Sequence, residues 1–249
     1  MCLIAIAFHV QPDKPLIVAA NRDEFYERPT APSHWWKEVP ILAGRDLEKG
    51  GTWMGVSENG RFCALTNYRH PDEQSAEKES RGYIVRSFLE SDLTAEAFLH
   101  DLDREKGRYQ GFNLIAGTKE ELYAYGSRSG DAPFLLPPGI HVVSNALMNT
   151  PWPKTIKAKE KMAAALNSQE ELFHMLQDKT VAAEDALPNT GVSLEWERLL
   201  SSVFIESPQY GTRCSTVLEI NKNNSAIWTE RTFERNKTVK ERTFFINFN

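Results

Sequence analysis

The sequence predicts an α+β fold with largely antiparallel sheets. Three observations carry this. Strand-like runs stand at both ends of the chain, helical segments group between them, and several strand pairs are joined by short turns.

Residues 2–10 and 15–20 are β-rich runs around Gln11-Pro12-Asp13-Lys14, which predicts a hairpin opening the fold. Asn21-Arg22-Asp23-Glu24 follows at the end of the second strand, where a scaffold presents polar chemistry. Residues 26–52, with Pro29, Pro32, Pro40 and the Gly50-Gly51 pair, read as irregular. Trp53 to Ser57 and Arg61 to Asn67 flank Glu58-Asn59-Gly60, a strong hairpin signal. His70 to Glu79 is polar and reads as an exposed loop.

Helices are expected over 80–90 and 94–106, the second with Phe98, Leu99 and Leu102 on one side. Strands follow at Phe112 to Thr118, Glu121 to Gly126 and Ile140 to Ser144. A helical block covers 153–178. Inside it, Ser168 and Glu171 form a capping box ahead of Leu172, Phe173 and Leu176. Another helix is expected over Leu194 to Val203. The tail returns to strands at Ser215 to Asn221, Ala226 to Thr232 and Val239 to Asn247. No repeat or linker divides the chain, so one domain over 1–249 is expected.

Composition narrows the function. The 249 residues are 41% hydrophobic and 25% charged, with net charge −5. No long basic run is present, which argues against nucleic acid or an anionic membrane surface as the main partner. The apolar run Cys2 to Val10 is too short to span a bilayer and lacks a basic flank, so neither stable membrane insertion nor a signal peptide is expected. Three cysteines, odd in number and far apart, fit a reducing cytoplasm, with no disulfide framework. The six histidines show no metal-ligand spacing. No metal is expected.

Cys2 is the residue of most chemical interest. Removal of Met1 would give one residue both a thiol and a free α-amine. That amine ionises near neutral pH, so a single terminal residue would supply nucleophile and general base. Such a nucleophile needs a carboxylate to hold the amine, a cation to favour the thiolate, and donors for the oxyanion. A hairpin starting at residue 2 brings Asn21, Arg22 and Asp23 back beside it. Trp35 and Trp53 are candidate walls of an apolar pocket, with Asn21 and Arg22 as further substrate contacts.

Cys2, Asn21-Arg22-Asp23-Glu24 and Gly50-Gly51-Thr52-Trp53-Met54-Gly55 together resemble the NRDE family, also called the transport and Golgi organization 2 family. That family is in turn similar to N-terminal nucleophile hydrolases of the choloylglycine hydrolase and penicillin V acylase type. The resemblance implies a four-layer αββα sandwich and cleavage of a non-peptide amide. It implies Cys2 as nucleophile, Asp23 on the α-amine, and Asn67 and Asn145 as oxyanion donors. It also implies a late arginine, matched by Arg213. The hydrolases' arginine ahead of the conserved asparagine falls on Ala20, a departure. Arg22 is not a simple substitute, because neighbouring side chains of a strand face opposite ways. Arg213 or Arg22 must then supply the charge.

The implied partner is a small-molecule substrate, and no cofactor is required. Sandwiches of this type often assemble, which makes a homo-oligomer an expectation. Family members are also associated with handling of haem or lipid-derived metabolites. A non-catalytic binding or trafficking protein is therefore the alternative reading.

Overall fold

A computed structural model describes residues 2–71, 78–234 and 237–249. Met1, and with it the question of its removal, lies outside the described residues. So do residues 72–77 of the expected loop.

The opening hairpin forms as its sequence dictates. β1 (Cys2–Phe8) and β2 (Leu16–Phe25) pair antiparallel, with Cys2 opposite Arg22 and Phe8 opposite Leu16. Both strands are buried on both faces, which explains their nearly continuous apolar runs. The prolines of 26–52 do not prevent structure. β3 (Thr30–Trp35) and β4 (Ile41–Asp46) form there, correcting the irregular reading. Pro32 is tolerated because β3 is an edge strand, with a register shift between Ala31 and His34. The Asn-Gly hairpin forms as β5 (Met54–Ser57) and β6 (Phe62–Asn67), with Gly60 at φ +79°.

α1 (Gly82–Glu90) and α2 (Ala95–Glu105) follow, the second capped by Thr94, whose hydroxyl accepts from Ala97 N. β7 (Phe112–Gly117) and β8 (Leu122–Gly126) precede a two-residue strand, β9 (Phe134–Leu135), that has no sequence signal. β10 is Gly139–Val143. The long helical block divides into α3 (Pro153–Ala165) and α4 (Gln169–Leu176), with Ser168 capping the second. α5 is shorter than expected, Leu194–Leu199. β11 (Tyr210–Ile220), β12 (Ser225–Glu234) and β13 (Lys237–Asn247) complete the chain.

The strands build two antiparallel sheets. One has the order β10-β1-β2-β11-β12-β13, the other β3-β4-β5-β6-β7-β8-β9. Ile4, Val18 and Leu218 from the first sheet meet Val56, Phe62 and Ile115 from the second in a core between them. Ala158, Met162, Leu172 and Phe173 of α3 and α4 cover the outer face of the first sheet. Val85, Phe88 and Leu99 of α1 and α2 cover the outer face of the second. The result is a four-layer αββα sandwich.

Candidate active site

The first sheet places its polar residues by register. Cys2 is opposite Arg22, and Arg22 is opposite Cys214 on β11. Directly opposed side chains point to one face, so these three share a face. They line a cavity of about 890 Å³ together with Asp23, Trp53 and Asn67. Cys2 and Cys214 lie on either side of β2, about 10 Å apart between backbones, too far for a disulfide.

The Cys2 thiol is pushed up to about 11 by burial, reinforced by the Asp23 charge. Arg22 and a hydrogen bond from the Asp23 backbone amide oppose the rise. Among the described residues, one buried nitrogen of Arg22, Nη1, has no hydrogen-bond partner. Arg22 is therefore the cation beside the sulfur. Residues 20 and 22 are two steps apart on the strand and share a face, so Arg22 stands on the side that Ala20 occupies, contrary to the expectation from the sequence. Arg213 is committed elsewhere. Its Nη1 donates to Phe25 O at 2.8 Å and Arg28 O at 3.1 Å, and the guanidinium sits over Tyr26. Arg213 reaches the cavity wall, yet β11 shifts register between Thr212 and Cys214, and its charge serves the β2–β3 turn.

Asp23 is buried and accepts a 2.7 Å hydrogen bond from the Thr212 hydroxyl. That hydroxyl in turn accepts from Ile205 N at 2.9 Å. Burial raises the Asp23 carboxyl, and Lys154 and Thr212 work against the rise. Lys154, on the first turn of α3, is itself buried and donates to Leu200 O at 2.9 Å. Burial pushes it down to about 8, with Asp23 as the main opposing charge. The charges of Asp23 and Lys154 thus each oppose the shift that burial imposes on the other.

The two asparagines have different places. Asn67 ends β6 and lines the cavity. Asn145 is fully buried off the lining, and its Nδ2 donates to Asn67 O at 2.9 Å. Asn145 thus holds Asn67 from behind. Its neighbour Ser144 donates to Cys2 O at 3.1 Å, fixing the start of β1. Asn21 faces the other way: its Nδ2 donates to Leu176 O and Val203 O, and its Oδ1 accepts from Ser215. It ties β2 to the helical layer and lies off the cavity lining, away from its expected place as a substrate contact. Trp35 is 38% exposed at the end of β3 and also lies off the lining; Trp53 is the tryptophan on it.

Sequence reading missed Lys154, Glu230 and Arg242. The last two carry a legible signal. Trp228 and Ala226, like Ile246 and Phe244, belong to the core between the sheets. Period-2 alternation then turns Glu230 and Arg242 inward as well. Both line the cavity. Among the lining residues cations outnumber carboxylates nine to six, against a chain charge of −5. Among the described residues, no cluster of His, Cys, Asp and Glu is suited to a metal ion. No helix there is long and apolar enough to cross a membrane.

The sandwich, with a cysteine at the head of β1, defines an N-terminal nucleophile hydrolase-like fold. Solved structures of two variants of a conjugated bile acid hydrolase from Clostridium perfringens share it. They superpose with TM-scores of 0.54 and 0.53 at 9% identity, over 98% of this chain and 92% of theirs. Within that class, the chain belongs to the family described as Transport and Golgi organisation 2, whose sequence profile matches residues 1–235. It is 34% identical to the Transport and Golgi organization 2 homolog of Mus musculus, over 93% of this chain and 92% of that protein. The Drosophila melanogaster Transport and Golgi organization protein 2 is 26% identical, over 98% and 99%.

Proposed function

We propose that the protein is an N-terminal cysteine amidohydrolase acting on a non-peptide amide of a small acylated molecule. The observation that carries the reading is the register pairing of Cys2 with Arg22, beside buried Asp23, on the wall of a large cavity. After loss of Met1, the α-amine of Cys2 takes the thiol proton and Asp23 holds the resulting ammonium. The thiolate attacks the amide carbonyl. Asn67 donates to the oxyanion, with Asn145 holding it in place. The ammonium passes its proton to the leaving amine, and water then releases the acyl group from sulfur. The reading requires no cofactor, and the free cysteines Cys2, Cys63 and Cys214 support a reducing, cytoplasmic setting for it.

The test combines two measurements. Intact mass of the purified protein reports whether Met1 is lost. A panel of acyl-amides, including acyl-homoserine lactones, conjugated bile acids and penicillin V, reports turnover. Loss of one methionine and turnover abolished by Cys2→Ala support the reading. A retained Met1, or turnover unchanged in the variant, sinks it.

A carrier of lipid-derived metabolites is the second reading. The raised Cys2 thiol favours it, since a thiol that stays protonated is a poor nucleophile. Haem fits less well. No histidine appears among the described lining residues, and burial holds the thiols of Cys2 and Cys214 in the protonated state.

A further inference from the structure

The cavity has a second basic end. From Cys2 the register runs across the sheet through Arg22, Cys214 and Thr232 to Lys240 on β13. Cys2 and Lys240 are the ends of one row, four strand spacings or about 19 Å apart between backbones. Arg242 lies two residues beyond Lys240 on the same strand face, opposite Glu230. All of these residues line the cavity.

Glu230 is the natural counter-ion for Arg242, but its oxygens are engaged. Oε1 accepts from Ser33 N at 2.8 Å, and Oε2 accepts from the Ser33 hydroxyl at 2.7 Å. No ion pair is formed by Lys240 or Arg242 among the described residues, and the buried Nη1 of Arg242 has no hydrogen-bond partner there. Leaving such a donor unsatisfied costs free energy, and a ligand atom that accepts from it recovers that cost. The excess of cations on the lining has the same sense.

We infer that Arg242, with Lys240, forms an anion-binding subsite at the far end of the cavity from Cys2. It takes an oxyanion group of the ligand, a carboxylate or a phosphate, either of which the guanidinium fork matches. The ligand is then elongated, with its carbonyl at Cys2 and its anionic end at β13. This deepens the hydrolase reading and rests on it for the position of the carbonyl.

The test is alkylation of Cys2, which needs a reachable thiol but no turnover. The probes are 11-maleimidoundecanoate and uncharged N-undecylmaleimide, long enough to span the row, with the labelled residue identified by peptide mapping. In the wild type the carboxylate probe should label Cys2 roughly tenfold faster than the neutral one. Arg242→Gln with Lys240→Gln should abolish that preference and leave the neutral probe's rate unchanged. Arg242→Lys should retain it. Inorganic phosphate and acetate, added as competitors, rank the two oxyanions. Equal rates in the wild type, or a preference surviving the double variant, would overturn the subsite. So would a preference that disappears with Arg22→Gln but not with the double variant. A missing hydrolase activity with the preference intact would overturn the hydrolase reading alone.

Discussion

At the scale of single residues, the site depends on which arginine faces Cys2. Arg22 opposes burial at the thiol, whereas Arg213 is engaged with two backbone carbonyls. Arg22→Gln should slow iodoacetamide labelling of Cys2 at pH 8 by roughly tenfold, the effect expected of one pKa unit. Arg213→Gln should leave that rate nearly unchanged. The reverse order would return the role to Arg213. Asp23 leads to a second expectation, because function and stability pull it in opposite directions. The unfolded chain ionises this carboxyl near its ordinary value of 3.8, while burial raises it in the native state. As pH climbs through the native value, the folded protein carries a cost the unfolded chain does not. Asp23→Asn should therefore raise the melting temperature at pH 7 by a few degrees while abolishing turnover. The gain should fade below pH 3.8. Cys2, Asp23 and Asn67 were legible in the sequence because they sit in short motifs at strand ends. The roles of Asn21 and Asn145 were not, since the bonds that orient them come from residues far away, such as Leu176 and the Asn67 backbone.

Among the elements, the Gly-Gly-Thr-Trp stretch is a packing device that shapes the cavity wall. Gly50 has φ +76°, which a side chain rarely adopts. A Cβ on Gly51 would lie 2.5 Å from the carbonyl carbon of Gly82, at the first residue of α1. Thr52 N donates to Gly82 O at 3.2 Å, so the stretch and the helix start lie backbone to backbone. Gly51→Ala should cost about 2 kcal/mol in urea denaturation, because backbone on both sides must move. A cost near zero would show that the contact yields easily. The hairpins and the Ser168 cap were legible because their signals are local. β3 and β4 were not, because Pro32 suggests a loop until the strand is known to lie at an edge.

For the molecule as a whole, the central pairing is the most distant in sequence. Asp23 and Thr212 are 189 residues apart, yet their bond closes the site. A chain ending before Tyr210 loses β11, β12 and β13 together. It leaves β2 as an exposed apolar edge, and it should aggregate rather than give a cooperative melting transition. A soluble, cooperatively melting truncation would contradict that expectation. The α+β class was legible from the grouping of strands and helices. The order β2-β11 was not, because apolar strands of similar composition carry no record of their partners.

That distant pairing also sets a schedule. In the folded protein Cys2 is only 8% exposed, and its carbonyl is held by Ser144. Its side chain is closed in and its carbonyl is satisfied there. During synthesis, however, β1 and β2 leave the ribosome long before β10, which carries the chain to Ser144, and β11, which completes the wall. The enclosure of Cys2 is therefore completed late in synthesis. A thiol reagent added to ribosome-bound chains should therefore label Cys2 far faster than it labels the folded protein.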